Sequence, residues 1–345
     1  MDGTMRAAIY GGKGNVSVET LPLPGIGADD VLIENLHAGV CGSDVSAFLH
    51  GPQAHRITIG SEFGHEMVSR IAQVGAHVTG FRVGERVYPY PLLARGDRSR
   101  AGTLGGFSQY IRVPDPTPGV ELYPVPDVIS DRAAALIEPF TVAFHAARQA
   151  EPSPGDTAVV WGAGTIGIGA ALGLRHLGAA RVLVADLSDF RLRKAAELGF
   201  DTVNPSREEL RTAATRLFGT APSVGGETAD VDIFVEATGA DALIGQFQEI
   251  GKLRSRLVVV GVHASPVPVD FAALAYSSHR IAGSGGYEPG DVRDVIAFLR
   301  DHGSQAEAII THEFPLEDIV TALETASDPQ SALNVAIVHE AARRA

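Results

Sequence analysis

The sequence has few cysteine, tryptophan and methionine residues: its 345 residues include one Cys, one Trp and three Met. The single cysteine, Cys41, excludes an internal disulfide framework and fits a reducing compartment, so we expect a cytoplasmic protein. No apolar run approaches the roughly 20 residues of a membrane-spanning helix, and the N-terminus lacks the apolar core of a signal peptide. The sequence therefore predicts neither a membrane protein nor a secreted disulfide-rich fold.

Positive charge is also scarce, since 28 Lys and Arg against 41 Asp and Glu give a formal net charge of −13. No cluster of basic residues stands out from this acidic excess, which argues against nucleic acid and anionic membranes as partners. The remaining composition is that of an ordinary globular protein, 45% hydrophobic and 20% charged. A chain of this length predicts two domains.

An apolar strand, a glycine turn and a helical pattern follow one another over residues 157–177, an order of elements typical of a nucleotide site. Gly162 permits the turn, Gly164 lets the backbone approach a pyrophosphate at the helix N-terminus, and Gly167 lets helix and strand pack closely. A lone glycine pattern also occurs in ordinary strand-to-helix turns. Here a second strand and an acidic residue follow, so we favour a dinucleotide site.

That second strand, 181–185, ends at Asp186, nineteen residues after the last glycine of the turn. A carboxylate at this point can accept hydrogen bonds from both ribose hydroxyls and would repel a 2′-phosphate, which favours NAD over NADP. Arg191 is the one nearby residue that could soften this preference. The residues expected to contact the cofactor are Gly162, Gly164, Thr165, Ile166, Gly167, Asp186, Arg191, Thr238, Gly261 and Val262.

Two kinds of pattern divide the chain. Residues 1 to about 150 carry short β-type runs punctuated by glycine and proline, such as 83–87, which predicts a mostly β domain. Its clear helical run is 130–150, with Ser130 as the N-cap. From 157 to about 285 strands alternate with helices, which predicts a parallel sheet with right-handed crossovers. The tail predicts a helix near 291–302 and a strand near 335–338.

Three motifs that lie far apart in the sequence carry the residue types of a metal site. They contain Cys41, the pair His65 and Glu66, and Glu138. Each residue alone has an ordinary explanation as a buried thiol, a core histidine, a surface carboxylate or a charge early in a helix. Together, thiolate, imidazole and carboxylate form the ligand set of a tetrahedral Zn²⁺ with one exchangeable position.

These residues resemble the zinc-dependent medium-chain dehydrogenase/reductase family, in particular its polyol and butanediol dehydrogenase branch. The resemblance covers nearly the whole chain and rests on the glycine turn and on Cys41-Gly-Ser-Asp44, Gly64-His-Glu66, Val83-Gly-Glu-Arg-Val87, Gly105-Gly-Phe-Ser-Gln-Tyr110 and Ile137-Glu-Pro-Phe-Thr-Val-Ala-Phe-His-Ala146. It implies an α/β protein in which a GroES-like, mostly β catalytic domain, 1–150 completed by 287–345, joins a Rossmann NAD-binding domain, 151–286, with a doubly wound parallel sheet. It also implies a homodimer or homotetramer.

The resemblance further implies the roles of the site residues. Cys41, His65 and Glu66 are then zinc ligands, and Glu138 is either the fourth ligand or the holder of the zinc-bound water. Ser43 matches the hydroxyl that passes the substrate proton outward. The implied activity is that of an NAD-dependent zinc alcohol or polyol dehydrogenase, which transfers a hydride between a small secondary alcohol, diol or polyol and NAD and gives the ketone.

Two other interpretations of the same residues stay open. One is an NAD-binding protein whose catalysis has decayed and which serves a structural or regulatory role, although the intact ligand set argues against decay. The other is a zinc-free enone reductase of the same superfamily, which would not require Cys41, His65 and Glu138 together. Metal content and activity on alcohols and ketones separate the three.

The chain departs from the family at the lobe that usually binds a structural zinc. Four closely spaced cysteines would fall near 90–106, yet this stretch contains none. We therefore expect one catalytic zinc per chain and no structural zinc. Ser46 also stands where many alcohol dehydrogenases have the histidine that ends a proton relay, so the relay must end differently or in water.

A second departure concerns the substrate pocket. Ala47 and Gly286 stand where sorbitol dehydrogenases typically show a tyrosine and an arginine, and Phe48 beside Ala47 is apolar. Ser46, Tyr110 and Tyr287 remain as polar contacts, so we expect a substrate less hydroxylated or bulkier than sorbitol. The alternative is an ordinary polyol dehydrogenase in which loop residues restore the missing donors; the candidates are His50, Gln53 and His55.

Overall fold

The structure is a computed structural model that describes residues 3–52, 57–94, 100–101 and 104–343. The chain divides into two compact units, a first unit of Met1–Glu138 with Val292–Ala345 and a second unit of Pro139–Asp291. The first division falls within the first turn of the helix Ile137–Gln149, whereas the boundary predicted at residue 150 lies after that helix. We describe each unit by itself.

The first stretch of the chain, up to residue 138, contains mainly strands. Its elements are β1 (Thr4–Gly12), β2 (Asn15–Pro22), β3 (Asp30–Gly39), α1 (Gly42–His50), β4 (Ser61–Glu62), β5 (Glu66–Val74), β6 (Arg86–Pro89), β7 (Tyr110–Pro114), β8 (Leu122–Pro124) and α2 (Asp131–Ala134).

From there strands and helices alternate. The elements are α3 (Ile137–Gln149), β9 (Thr157–Trp161), α4 (Thr165–His176), β10 (Arg181–Ala185), α5 (Asp189–Glu197), β11 (Asp201–Val203), α6 (Leu210–Phe218), β12 (Thr220–Ser223), β13 (Gly226–Ala229), β14 (Ile233–Glu236), α7 (Ala242–Ile250), β15 (Arg256–Val259), α8 (Phe271–Ser277) and β16 (Arg280–Gly283). The tail contains α9 (Pro289–Ala306), β17 (Ile310–Pro315), α10 (Ile319–Ala326), β18 (Asn334–Val338) and α11 (Glu340–Arg343), with 3₁₀ turns at Glu307–Ile309 and Leu316–Asp318.

Strands from both ends of the chain build the first unit. Among its described residues, a large sheet has the order β17-β18-β3-β5-β6-β8, with β7 also paired to β3, and a smaller sheet has the order β2-β1-β4. β18 runs antiparallel to β3, which closes the large sheet across almost the full length of the sequence. Buried apolar side chains from these strands and from α1 and α10 form the core, including Phe63, Met67, Phe107, Leu323 and Ile337.

A parallel sheet forms the second unit. Its strand order is β11-β10-β9-β14-β15-β16, and every pairing in it is parallel. Parallel strands need crossover connections, which α4, α5, α6, α7 and α8 provide among the described residues. α3 belongs to this unit because it packs on α4: a Cβ at Gly169 of α4 would meet Ala143 and Phe140 within 3.1 Å.

The α/β fold class predicted from the sequence is confirmed. β9, α4 and β10 match the predicted strand, helix and second strand, and the Ser130 hydroxyl caps α2 by accepting from the Ala133 N–H. Two details differ. The helical run 130–150 is two helices, α2 and α3, and the strand expected at 83–87 begins only at Arg86, because Val83 lies in an exposed turn. No helix in the described residues is long and apolar enough to cross a membrane.

Candidate metal centre and cofactor site

Cys41, His65 and Glu66 come together in the first unit because β3 pairs with β5. β3 ends at Gly39, and Cys41 is the N-cap of α1, which follows. Glu66 begins β5 and pairs with Gly39, where a side chain would overlap the Glu66 carboxylate. A sulfur, a ring nitrogen and a carboxylate oxygen of the three residues all lie within 4.8 Å of one another. This spacing is short enough for one small cation to reach all three.

The same cluster contains buried polar atoms that the protein does not satisfy. Among the described residues, neither Nδ1 of His65 nor Oδ1 of Asp44 has a hydrogen-bond partner. The Asp44 side chain is 1% exposed, and its other oxygen accepts from the Cys41 N–H at 3.1 Å. A buried polar atom without a partner costs about 1 to 3 kcal/mol. Two buried atoms of the cluster, Nδ1 of His65 and Oδ1 of Asp44, can therefore still form a hydrogen bond or bind a ligand.

The electrostatics of the cluster favour a positive ion. Burial and, to a smaller extent, the charges of Asp44 and Glu138 raise the pKa of the Cys41 thiol to about 11, and hydrogen bonds from the Ser43 hydroxyl and N–H oppose this increase. Burial also raises the pKa of Glu66, together with Cys41 and Glu138. Without a cation the protein therefore disfavours the anionic forms of the Cys41 thiol and the Glu66 carboxyl, and a bound cation would favour both anionic forms.

His65 and Glu138 also contribute to the electrostatics of the cluster. Burial acts against a charged His65, but Asp44, Glu138 and Glu66 together raise the pKa of its imidazole. Glu138 is 6% exposed and lies near the start of α3, close enough for its charge to act on Cys41, His65 and Glu66, but outside the group of three ligand atoms. The geometry thus separates the two glutamates, with Glu66 inside the group and Glu138 beside it.

The predicted substrate residues lie in both units. On α1, Ser46 is half-buried, whereas Ala47 is 0% exposed and Phe48 is 6% exposed, both in the core of the first unit. The Tyr10 hydroxyl donates to the Ala47 carbonyl at 2.7 Å. Ala47 therefore has a packing role in the structure, and its contact with a substrate stays a prediction.

In the second unit, Gly286 is exposed with φ +71°, and Tyr287 is 7% exposed. Their contact with a substrate also stays a prediction. Of the residues that could restore polar contacts, His50 is exposed in the last turn of α1. Gln53 and His55 lie outside the described residues.

The glycine turn of the second unit has the geometry that its sequence predicts. Gly162 has φ +99°, and a side chain at Gly167 would overlap the Gly162 carbonyl, so the turn and the first turn of α4 fit only with glycine at both positions. Asp186 follows β10 and faces the turn: its carboxylate accepts from the Ala163 N–H at 2.6 Å and from the Ser188 N–H at 2.7 Å. A carboxylate has about four lone-pair positions, so capacity remains for ribose hydroxyls.

The other predicted cofactor residues surround this turn. Thr165 and Ile166 begin α4 and are half-buried. An Arg191 guanidinium nitrogen lies 3.7 Å from the place of a Cβ at Gly164, and the Thr238 methyl lies 2.9 Å from the place of one at Gly162. The last two predicted cofactor residues, Gly261 and Val262, lie in the loop after β15. A Cβ at Gly261 would come within 2.9 Å of the Thr238 nitrogen, and Val262 is 79% exposed.

Four polar residues near these sites received no role from the sequence. Asp44 stands inside the cysteine motif, and its spacing of three from the N-cap Cys41 is the signal that could have assigned it a capping role. Glu236, Asp241 and His263 form a second cluster, which no motif indicates because three separate segments supply it.

Comparisons with known proteins agree with this architecture. Residues 27–127 match the family model described as alcohol dehydrogenase GroES-like domain, and residues 165–301 match the one described as zinc-binding dehydrogenase. The chain is 29% identical to an L-threonine 3-dehydrogenase of Anaeromyxobacter sp. (strain K), over 86% of this chain and 88% of that protein.

Solved structures share the fold over nearly the whole chain. A 2R,3R-butanediol dehydrogenase from Bacillus subtilis has a TM-score of 0.84 at 24% identity and covers 97% of this chain and 99% of its own. The alcohol dehydrogenase TADH from Thermus sp. ATN1 has a TM-score of 0.83 at 25% identity and covers 97% and 100%.

Proposed function

The chain belongs to the zinc-dependent medium-chain dehydrogenase family, an oxidoreductase family, and from this premise we propose that it is an NAD-dependent dehydrogenase that oxidises a secondary alcohol to a ketone at one zinc ion. The observation that carries the proposal is the group formed by Cys41, His65 and Glu66, whose ligand atoms lie within 4.8 Å of one another.

The residues present fit a zinc ion. Thiolate, imidazole and carboxylate are its usual protein ligands, and the raised pKa values of Cys41 and Glu66 describe a site in which a divalent cation would relieve the repulsion between anions. Zinc supplies a Lewis acid that lowers the pKa of a bound hydroxyl and so helps an alcohol to lose its proton. We assign Cys41, His65 and Glu66 as its three ligands and Glu138 to the exchangeable side.

Other residues of the first unit then act on the proton and on the ligands. The Ser43 hydroxyl lies within hydrogen-bond reach of the Cys41 sulfur and thus at the cluster. We assign it the first step of proton removal: its oxygen accepts the proton of the substrate hydroxyl while its own proton passes to water. Asp44 fixes the start of α1 because its carboxylate accepts from the Cys41 N–H at 3.1 Å. It acts through its neighbours and is a positioning residue.

For the cofactor we propose NAD. Asp186 stands where a 2′-phosphate would meet a negative carboxylate in a partly desolvated place, and this repulsion disfavours NADP. Arg191, whose guanidinium lies beside Gly164, is the residue that would partly offset it. The pyrophosphate would lie at the N-terminus of α4, where the first backbone N–H groups have no partner within the helix.

For the substrate we propose a secondary alcohol with at most one or two further polar groups. The butanediol and threonine named in two similar proteins each carry a secondary hydroxyl, beside one further polar group in butanediol and two, an ammonium and a carboxylate, in threonine, which agrees with this class. An unpaired hydroxyl in a buried site costs about 1 to 3 kcal/mol, or one to two powers of ten in kcat/KM. Long polyols would accumulate that cost if the pocket lacks donors.

The test combines metal analysis with an NADH absorbance assay on L-threonine, 2,3-butanediol, xylitol, sorbitol and a cyclic secondary alcohol. We expect one zinc per chain and the highest kcat/KM on a substrate with few hydroxyls. A highest value on sorbitol would refute the substrate class. Zinc-free protein that reduces enones would support the enone reductase, and cofactor binding without any turnover would support a decayed enzyme.

A further inference from the structure

Three side chains of the second unit, Glu236, Asp241 and His263, form an ion cluster that we call the His263 clasp. Nδ1 of His263 lies 2.8 Å from Oδ1 of Asp241, and Nε2 lies 3.1 Å from Oε2 of Glu236. Glu236 is 0% exposed, the His263 side chain is 13% exposed and the Asp241 side chain is 57% exposed. One imidazole thus links a buried carboxylate to a surface carboxylate.

The clasp joins the loops that follow two neighbouring strands. Glu236 ends β14, and its other oxygen, Oε1, accepts from the N–H and hydroxyl of Thr238 and from the Gly239 N–H, at 2.6 to 2.8 Å. The Gly261 N–H donates to the Glu236 carbonyl at 2.9 Å, and a side chain at Gly261 would overlap both the Glu236 carboxylate and the Gly239 nitrogen. Glu236 therefore fixes both loops at once.

These loops lie at the half of the sheet opposite Asp186. In the order β11-β10-β9-β14-β15-β16 the sequence reverses direction between β9 and β14, and a dinucleotide spans such a switch point at the carboxyl ends of the strands. With the proposed cofactor bound, Asp186, after β10, would face the adenosine ribose. The loops after β14 and β15 would then face the half of the dinucleotide that carries the nicotinamide.

The clasp is complete only when His263 is charged. Both ring nitrogens face carboxylate oxygens, which accept hydrogen bonds, so both nitrogens must be donors. A neutral imidazole has one donor, and its other nitrogen would direct a lone pair at a carboxylate. In the described structure no titratable group besides Asp241 and Glu236 acts on this ring.

We propose that the His263 clasp is a positioning device for the nicotinamide half of the cofactor site: charged His263 locks the loops at Thr238 and Gly261 together, and loss of its proton releases them and weakens dinucleotide binding. This inference rests on the proposed cofactor. His263 acts through Glu236 and Asp241 and needs no contact of its own with the cofactor.

The direction of the pH dependence follows from the environment of the ring. The hydrogen bond with Asp241 raises the pKa of His263, burial opposes this, and the charge of Glu236 adds to the increase. A group whose pKa is raised on folding stabilises the folded state fully below its unfolded pKa, about 6.5 for histidine, and loses that contribution as pH rises through the folded value. The clasp is therefore closed in mild acid and opens above the raised pKa.

The test measures equilibrium NADH binding by fluorescence from about pH 6 to about pH 9.5, with NMR titration of the histidine rings in the free protein. For the wild type we expect the Kd to rise about tenfold through the transition of His263, within the usual range of coupling between sites. His263→Gln should bind weakly at all pH values. His263→Arg donates to both carboxylates at every pH and should keep tight binding in alkali.

His302→Gln is the matched control, because His302 is an exposed histidine in the first unit and its loss should leave the profile unchanged. A wild-type Kd that does not change with pH, or the same profile in all four proteins, would overturn the clasp inference while NADH binding itself stands. Absence of NADH binding at every pH would instead overturn the proposed cofactor and, with it, this inference. Asp241→Asn should lower the pKa of His263 in the NMR titration, because this variant lacks the carboxylate whose hydrogen bond raises that pKa.

Discussion

The His263 clasp and the candidate metal centre each contain a histidine among carboxylates. They differ in how many of their polar atoms have a hydrogen-bond partner within the protein. In the His263 clasp both ring nitrogens meet a carboxylate, and Glu236 accepts from further backbone and hydroxyl groups. In the metal centre, Nδ1 of His65 and Oδ1 of Asp44 have no partner among the described residues, and the Cys41 thiol has its pKa raised to about 11.

This difference indicates what each cluster is for. Buried polar groups that are fully hydrogen-bonded hold their surroundings in one arrangement. Buried groups that lack partners carry a cost, which a ligand removes when it binds. The first pattern therefore indicates positioning and the second indicates binding, although both contain the same residue types.

The largest effect, on zinc content and kcat/KM, is expected from substitutions in the candidate metal centre, where buried polar atoms lack hydrogen-bond partners. Cys41→Ser and His65→Gln should each remove the zinc and lower kcat/KM by about 10³-fold or more, because a metal ion contributes several kcal/mol of transition-state stabilisation. NADH affinity should stay close to that of the wild type, since the second unit supplies the cofactor residues. Elemental analysis, the NADH assay and fluorescence titration measure the three quantities.

His302→Gln serves again as the matched histidine control for His65→Gln, with full zinc and activity expected. Two zinc ions per wild-type chain would contradict the single site. Retention of one zinc in both variants would remove Cys41 and His65 from the ligand set, and undiminished activity without zinc would refute the metal-dependent reaction.

A smaller effect, on cofactor preference, is expected from a change at Asp186. The N–H groups of Ala163 and Ser188 occupy only part of the hydrogen-bonding capacity of its carboxylate. Asp186→Asn should narrow the preference for NAD over NADP by about tenfold in the ratio of kcat/KM values, because the variant lacks the charge that repels a 2′-phosphate. Arg191→Ala should widen the preference. Asp201→Asn, a surface aspartate of β11 paired with Arg181, is the matched control. Equal ratios in wild type and Asp186→Asn would show that another residue discriminates.

The smallest effect, on the free energy of unfolding, is expected for the ion cluster around Lys252, whose charged groups are paired and to which we assign no ligand. Lys252 is 17% exposed and pairs with Asp230 and Asp232, both at 2.5 Å. Lys252→Met should lower the free energy of unfolding by about 1 to 2 kcal/mol, less than a fully buried pair because both carboxylates are partly exposed. Zinc content and NADH affinity should not change. Denaturant unfolding of this variant is compared with Lys194→Met, an exposed pair with Glu197 that should cost less than about 0.5 kcal/mol.

The sequence was informative wherever a residue type and a short spacing determine the outcome. Gly162 and Gly167 are required by the turn, and the structure shows a positive φ at one and a backbone contact at the other. The clustering of Cys41, His65 and Glu66 could be predicted for a similar reason, because few other functions use a cysteine, a histidine and a glutamate in such motifs, and their ligation of a metal stays a prediction.

Features that depend on packing could not be predicted in this way. Ala47 is entirely buried because α1 turns this side chain into the core of the first unit, while its contact with a substrate stays a prediction. The His263 clasp needs residues from β14, from the start of α7 and from the loop after β15, and only the pairing of β14 with β15 brings them together. α3 belongs to the second unit through its packing on α4, which no local pattern shows.

The pairing of β18 with β3 has a consequence for how the protein matures. The Val40 N–H, one residue before Cys41, donates to the Val335 carbonyl at 2.8 Å. At about 5 to 20 residues per second, a ribosome adds Val335 roughly 15 to 60 s after Val40. The second unit, by contrast, draws all its strands from one continuous stretch and can close its sheet while the tail is still being made. We therefore expect newly made chains to complete the parallel sheet of the second unit first and to acquire the proposed zinc only after β18 has left the ribosome.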